Sequence, residues 1–501
     1  MDIITKVIEN VKGRCLHVAF VCDLSFNEPL GIGYLSAYLK RYFPSVRLEL
    51  FDPKVDALSA IESFRPDLVL YSTMTAQHKE YIERNKNLKK ILPSFVSVFG
   101  GPHPTYFPEI IFDEGVDIIC RGEGERPLKN LIENMLSDSD IRYIKGLWIK
   151  ADGRLYKNDV DFLIEDLDAL PFPDRDLYYK KSTFLQSYPS KPIIGARGCP
   201  FKCSYCHNSG LNILFKGKGK IIRYRSPKSV VGEAKEIKSR YNVKFIAFSE
   251  DVFPGINIEW LKEFYERYSK LNIPFFMGIR AEFIRADIAK YLRKSGCVSA
   301  SMAIEHGDPI YRKKYLYRNM SNEAIVEGTR ILESEGIHVA SSVMLGLPFA
   351  DIKDDLKTLE LVHKSKPTHA TTFIFQPYPG TALTELCLEK GLTNHIGIDN
   401  IKDSYSKAHI EGIDYEKVLK LHNSFSLIWL LKRCFNVDIE YCFRKLPNWL
   451  IFKWLNIAIK YFTFRKVIKY KRTTLEMVKE VYSALTTGAF KICSSKKKVS
   501  W

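Results

Sequence analysis

Cys199, Cys203 and Cys206 stand in the run G-C-P-F-K-C-S-Y-C-H, with three and then two residues between them. Three thiolates that close together can hold three irons of a cubane iron–sulfur cluster. A complete four-iron cluster takes four cysteines. A set of three leaves one iron open to a group that is not protein, which turns the cluster into a reagent. A zinc site is the competing reading. Structural zinc takes four ligands in paired spacings, and His207, the only neighbour that could be the fourth, adjoins Cys206 and would strain a shared tetrahedron. Disulfides are a further alternative, but nothing in the chain suggests secretion.

The elements that must position these thiols can be read from the alternation of apolar runs. Strands are expected at 16–22, 46–50, 67–71, 95–99 and 116–120, with amphipathic helical segments between them. Parallel strands need such long crossovers, so the N-terminal region reads as a doubly wound, five-stranded parallel sheet of α/β class. Ligands of these sheets bind at the carboxyl ends of the strands. Small and polar residues gather there: Pro29, Gly31 and Gly33; Ser72, Thr73, Met74 and Thr75; Gly100, Gly101, Pro102, His103 and Pro104; Arg121, Gly122, Glu123, Gly124 and Glu125. A hairpin is expected around Asp152-Gly153, followed by the proline-stiffened stretch D-L-D-A-L-P-F-P-D-R-D.

The alternation resumes with strands expected at 192–196, 244–248, 274–279, 298–304, 339–345 and 371–375. Six strands with helical returns form a partial (βα)6 barrel, and α/β barrels carry their chemistry on loops at the carboxyl ends of strands. The cysteines follow the first of these strands. Later strand ends carry Ser249-Glu250-Asp251, Gly278 and Arg280, Glu305-His306-Gly307, Leu345-Gly346-Leu347-Pro348, and Gln376 to Thr381. The expected domains are therefore 1–140 (sheet), 141–190 (linker with hairpin), 191–390 (barrel) and 391–501 (helical, basic and aromatic).

Apolar residues make up 46% of the 501 and aromatics 13%, ample for several cores. Cys15, Cys22, Cys120 and Cys297 lie in or beside apolar runs and read as core thiols. The first residues carry acids and lack the apolar stretch of a signal peptide. No apolar run is long enough to span a bilayer, so a reducing cytoplasm is expected. The net charge is +17, and residues 444–501 supply most of it: fourteen Lys and Arg against two Glu, 14 − 2 = +12. An anionic partner is implied there. In P-N-W-L-I-F-K-W-L-N-I-A-I-K-Y-F, Lys453 and Lys460 share one face of a helix. That helix either packs its aromatics inside, beneath the barrel, or lies on a membrane surface with its lysines snorkelling to headgroups. The terminal S-S-K-K-K-V-S-W reads as a solvated tail.

The cysteine run and the strand-end segments, in order, resemble the radical S-adenosylmethionine (SAM) superfamily. P-L-G-I-G-Y-L, G-G-P-H-P-T and R-G-E-G-E resemble the class whose barrel follows a cobalamin-binding domain. The resemblance implies a [4Fe–4S] cluster on Cys199, Cys203 and Cys206, whose free iron chelates SAM before an electron cleaves it to a 5′-deoxyadenosyl radical. It implies Tyr205 near adenine, Glu305 and Gly346 lining the nucleoside site, Glu250 or Asp251 accepting the SAM ammonium, and Arg280 facing its carboxylate. It implies cobalamin held by Ser72, Thr73, Gly100, Gly101, Pro102, His103, Glu123, Gly124 and Glu125. One departure stands out: Asp23 has Ser25 where a cobalt-ligating histidine would sit, so no lower histidine ligand is expected. The implied activity is methylation, cyclisation or rearrangement of an unactivated carbon in a small-molecule or lipophilic biosynthetic intermediate, with flavodoxin or ferredoxin as reductant. Two alternatives stay open: a cobalamin-independent radical enzyme with a vestigial N-terminal domain, and a non-catalytic cluster-binding partner protein. Nucleic acid is not an expected partner. The expected location is the cytoplasm, at the inner membrane surface if the C-terminal helix seats on lipid.

Overall fold

The computed structural model describes residues 3–11, 14–25, 28–75, 77–393, 406–447 and 450–468. Trp449 and the basic tail beyond residue 468 lie outside them. The described residues divide into two units, one from Met1–Ser187 with Gly210–Arg223, the other from Tyr188–Ser209 with Tyr224–Trp501.

In the first unit, β1 (His17–Val21), β2 (Arg47–Phe51), β3 (Leu68–Ser72), β4 (Val96–Gly100) and β5 (Ile118–Cys120) pair in parallel in the order β2-β1-β3-β4-β5. Helices Leu30–Tyr42, Leu58–Phe64, His78–Ile91 and Glu125–Ser137 connect or follow them. The inner strands β1, β3, β4 and β5 are almost wholly buried, as strands covered on both sides must be, while the edge strand β2 exposes Arg47. Val21, Val69, Tyr71, Phe95, Phe99 and Ile119 form one core.

The hairpin is a finding that the sequence reading assigned to a linker. β6 (Leu147–Ala151) and β7 (Arg154–Lys157) add antiparallel to β5, making a seven-stranded sheet. Asp152 and Gly153 both have positive φ (53° and 69°), the twist that a two-residue turn needs to match its strands. Residues 210–223, expected in the barrel, also belong to this unit. Phe215 packs with Val160 and Leu163, flanked by Leu211, Leu214 and Ile221. Of the presumed core thiols, Cys120 and Cys297 are buried and Cys22 is half-buried, but Cys15 is exposed.

Two-residue strands β9 (Ala196–Arg197) and β10 (Arg223–Tyr224) lie either side of the cysteine segment in sequence. In the second unit, β8 (Ser190–Ile193), β11 (Phe245–Phe248), β12 (Phe275–Gly278), β13 (Cys297–Glu305), β14 (His338–Leu345) and β15 (His369–Ile374) form an all-parallel six-stranded sheet in sequential order. Helices Pro227–Arg240, Ile258–Tyr268, Ala286–Ser295, Asn322–Ser334 and Ile352–Ser365 return the chain between strands. Side-chain caps start several of them: Ser226, Asn257 and Ser321 accept first-turn N–H groups, and Asp351 with Asp354 forms a reciprocal capping box. Ile246, Phe264, Phe275, Met277, Val339 and Val343 contribute to a continuous core under these helices. Helix Tyr415–Phe435 then packs on β15 and on helix Leu450–Val467.

The last helix overturns the expectation for its lysines. Asn456 and Lys460 are buried, whereas Ile451, Trp454, Leu455 and Phe462 are exposed. The aromatics do not pack inside, and Lys460 does not reach outward. The cause is a polar seam: Asn456 Oδ1 accepts the Ser426 N–H at 2.7 Å, Asn456 Nδ2 donates to the His422 carbonyl at 3.4 Å, and Thr463 Oγ1 meets His369 Nδ1 at 2.8 Å.

Candidate functional site

The cysteine segment leaves β9 through Gly198, whose φ is +86°. Its backbone is then pinned within the second unit: Ser204 N–H donates to the Leu316 carbonyl (3.2 Å), and the Ser204 carbonyl accepts from Leu383 N–H (2.9 Å). Cys206 N–H donates to the Cys203 carbonyl (3.1 Å), so the last two cysteines sit on one tight turn.

All three cysteines line one cavity of about 260 Å³, together with Phe201, Tyr205, Asn208, Asp251, Gly278, Arg280, Ser301, Ala303 and Arg318. Burial pushes the Cys206 thiol up to about 11 and raises that of Cys199. Metal ligation works against that rise, because a metal ion binds the thiolate. Arg280 Nη1 lies 3.6 Å from Cys203 Sγ, and its guanidinium stacks 3.8 Å over the Phe201 ring. The donor set is soft and three-fold, which fits an iron–sulfur cluster. Among the described residues no three His, Cys, Asp or Glu converge on a single ion. His207 turns its ring edge-on to Tyr378, with centroids 5.3 Å apart.

Deeper in the site, Tyr205 Oη donates to Glu305 Oε1 (2.9 Å) and accepts from Arg318 Nη1 (3.2 Å), while Arg318 Nη2 donates to the Ala303 carbonyl (2.7 Å). Glu305 and Arg318 are both buried. Burial raises the Glu305 carboxyl, and Arg318 opposes that rise. Glu305 sits at φ +67°, at a register shift between Ala303 and the end of β13. A left-handed non-glycine at a strand end is strained backbone of the kind that clusters at functional sites. Arg318 Nε is buried without a hydrogen-bond partner among the described residues, as is Glu250 Oε1.

The structure sorts the remaining sequence-predicted residues. Asp251 faces the cavity; Glu250 does not line it, turns inward to the Gly195 N–H (3.1 Å), and has its carboxyl pushed up to about 8 by burial. Arg280 is paired with Glu282 (Nε to Oε1, 2.8 Å) as well as facing Cys203. Gly346 lies off the cavity lining, with φ +65° and its N–H directed to the buried Asp355 carboxylate at 3.3 Å. Sequence reasoning missed Arg318, Phe201, Asn208 and Ser301. For Arg318 the only signal was a basic residue following the fourth strand-end segment.

In the first unit, Ser72, Thr73, Gly100 and Gly101 meet at the carboxyl ends of β3 and β4. Gly101 has φ +95°, and a Cβ there would lie 3.0 Å from both the N and the O of Thr73. The Thr73 hydroxyl is buried without a partner among the described residues. This bare rim with an orphaned hydroxyl fits a bound polar cofactor. The other predicted residues there have work within the unit. Pro102 opens the helix Pro102–Tyr106, and His103 is buried, stacked on His78 at 4.1 Å and 3.2 Å from Thr75 Oγ1. Glu123 pairs with Arg223 at 2.8 Å and accepts the Ile164 N–H at 2.8 Å. Gly124 precedes the helix Glu125–Ser137, and Glu125 is buried in its first turn. Asp23 Oδ1 accepts from the Ser25 N–H at 2.8 Å.

Residues 193–362 match the model of the radical SAM superfamily, and residues 16–132 match that of the B12 binding domain. An uncharacterized methyltransferase of Pyrococcus horikoshii is 26% identical over 375 residues, 73% of this chain and 79% of that protein. The anaerobic magnesium-protoporphyrin IX monomethyl ester cyclase of Cereibacter sphaeroides is 25% identical over 337 residues, 64% of this chain and 53% of that protein. The cobalamin-dependent S-adenosylmethionine radical enzyme OxsB, solved with aqua-cobalamin and S-adenosylmethionine, shares the fold with a TM-score of 0.68 at 16% identity, over 95% of this chain and 75% of that one. With three thiols on one cavity at the head of a six-stranded parallel barrel, and a rim of small residues on a doubly wound sheet before it, the chain belongs to the radical SAM superfamily, in the class that carries an N-terminal B12-binding domain.

Proposed function

We propose that this enzyme performs cobalamin-dependent radical SAM chemistry on an unactivated carbon of a small biosynthetic intermediate, with methylation as the leading outcome and cyclisation as its relative. The observation that carries this reading is the single cavity shared by Cys199, Cys203, Cys206, Asp251, Arg280 and Arg318. When bound, the cluster supplies the electron that splits SAM, and cobalamin supplies the methyl group.

The chain's own residues bind and orient. Cys199, Cys203 and Cys206 hold the iron. Arg280 offsets negative charge on the sulfur of Cys203. Asp251, exposed at the cavity edge, accepts the SAM ammonium. Arg318, Tyr205 and Glu305 form one buried hydrogen-bonded chain along the wall that positions the nucleoside. In the first unit, Thr73 and the glycine pair Gly100-Gly101 at the end of β4 would hold the cobalamin. The electron donor is a small reducing protein of the flavodoxin or ferredoxin kind. The reducing cytoplasm is the compartment that suits such a cluster.

The test is anaerobic reconstitution with iron and sulfide, followed by SAM and dithionite. 5′-Deoxyadenosine is expected, and the variant with all three cysteines changed to alanine should form none. Absence of the product from fully loaded protein, or its persistence in the triple variant, overturns the reading. Hydroxocobalamin should refold into the protein with a stoichiometric corrinoid spectrum; without it, only the radical half of the proposal stands.

A further inference from the structure

Helix Leu450–Val467 is turned inside out for a soluble surface. Ile451, Leu455, Ala458 and Phe462 recur at offsets of four, seven and eleven residues, which places them on one stripe. Trp454 and Tyr461 flank it. Phe462 is 63% exposed, Ile451 59%, Trp454 47% and Leu455 44%. A surface helix normally hides such a stripe. Here it cannot roll over, because Asn456 and Thr463 on the opposite face are bonded to Ser426, His422 and His369. Lys460 is buried on that same face. Turning the stripe inward would break these bonds and leave their partners buried and unpaired, at about 1–3 kcal/mol for each group.

Contiguous exposed apolar surface marks an interaction site, and the charge around it selects the partner. Arg465 and Lys466 follow Phe462 by three and four residues, one on each side of the stripe. Over 444–468 the described basic residues are Arg444, Lys445, Lys453, Lys460, Arg465 and Lys466, with no acid among the described residues there. A second copy of the chain would bring the same positive charge against this face and be repelled. Isoleucine, leucine and alanine along the stripe offer nothing to nucleic-acid bases. An anionic bilayer answers both features, since acyl chains take the stripe and acidic headgroups take the lysines and arginines. Among the described residues no helix is long and apolar enough to cross a membrane, so this one lies in the interface plane.

We infer that the stripe Ile451–Leu455–Ala458–Phe462, with Trp454 beside it, seats the protein on the surface of an anionic lipid bilayer. The inference is independent of the chemistry in the barrel.

The experiment uses the full chain with sedimentation on vesicles of phosphatidylcholine, with and without phosphatidylglycerol. Binding is expected only with the anionic lipid, and it should weaken as salt is added. The double variant Leu455→Glu, Phe462→Glu should lose roughly tenfold or more in partitioning, with an unchanged circular-dichroism melt. A second readout is quenching of tryptophan fluorescence by brominated lipid, which should fall in Trp454→Phe. Three outcomes overturn the inference: no vesicle binding at low salt, undiminished binding by the double variant, or a concentration-dependent dimer in solution that the double variant abolishes. A fourth is vesicle binding that appears only after removal of residues 469–501, which would mean that the chain itself covers the stripe.

Discussion

The run R-K-K-Y-L-Y-R that ends at Arg318 shows what single residues conceal. As letters it is a basic surface segment. In the structure Lys313 and Lys314 are exposed, while Arg312 and Arg318 are buried. Arg312 holds the Met320 carbonyl at 2.7 Å, and Arg318 holds the Tyr205 hydroxyl and the Ala303 carbonyl. Burial, not residue type, separates the site's cation from solvated ones. Arg318→Met should therefore destabilise the protein by about 3 kcal/mol, because it leaves the Glu305 carboxylate buried without its charge partner. Urea unfolding checks this, and a second change, Glu305→Gln, should recover most of the loss. Tyr205→Phe removes the hydroxyl between Glu305 and Arg318. SAM affinity of the reconstituted protein should fall roughly tenfold by calorimetry, with the cluster absorbance unchanged. On the rim of the first unit, Gly101→Ala should cost about 1–3 kcal/mol, since alanine is strained at that φ and its methyl would press on Thr73, and corrinoid uptake should fall with it. The three cysteines, Tyr205 and Glu305 were readable because their spacing or strand-end position is itself a pattern. Arg318 has no such pattern.

Elements were read more surely than residues wherever one physical rule dominates. The parallel strands are short runs rich in apolar residues and bounded by small ones, so their places follow from the chain alone to within a residue or two, except β8, which ends at Ile193, three residues before the expected 196. The hairpin was visible through its Asp-Gly turn, but its pairing with β5 was not, since an edge is chosen by tertiary contacts. The last helix failed for a related reason: periodicity separates two faces but does not say which one is inward. Two titrations follow from the way these elements pack. Burial pushes Lys460 down to about 8, against about 10.4 for a free lysine. Below pH 8 the cation is charged in both states and the full burial cost is present; above that, the unfolded chain binds more protons and stability rises with pH. Lys460→Met should accordingly gain on the order of 2 kcal/mol at pH 7, with the gain gone above about pH 10.4. The opposite case is Asp355 in helix Ile352–Ser365, whose carboxyl burial pushes up to about 8. Its contribution is complete below about pH 3.9, the value for a free aspartate, and is lost as pH rises through 8. Asp355→Asn keeps an acceptor for the Gly346 N–H and should flatten that decline in denaturant titrations run across this range.

At the scale of the whole molecule, the order of sheet, hairpin and barrel was legible because βα alternation stops and restarts around the proline-rich stretch. What could not be read was the return of residues 210–223 to the first unit. That segment is short, mixed in composition and flanked by barrel sequence, and only its destination explains it. There Phe215 fills the space that Gly122, at φ +86°, leaves open, and Arg223 neutralises Glu123. The corrinoid half is thus written in two separate passages of the chain. A clone that stops at residue 187 omits the second passage, exposes Val160 and Leu163, and strands a carboxylate. Such a fragment should precipitate or bind corrinoid poorly, however well its boundary matches a domain map. A version with 210–223 spliced back through a flexible linker should stay in solution.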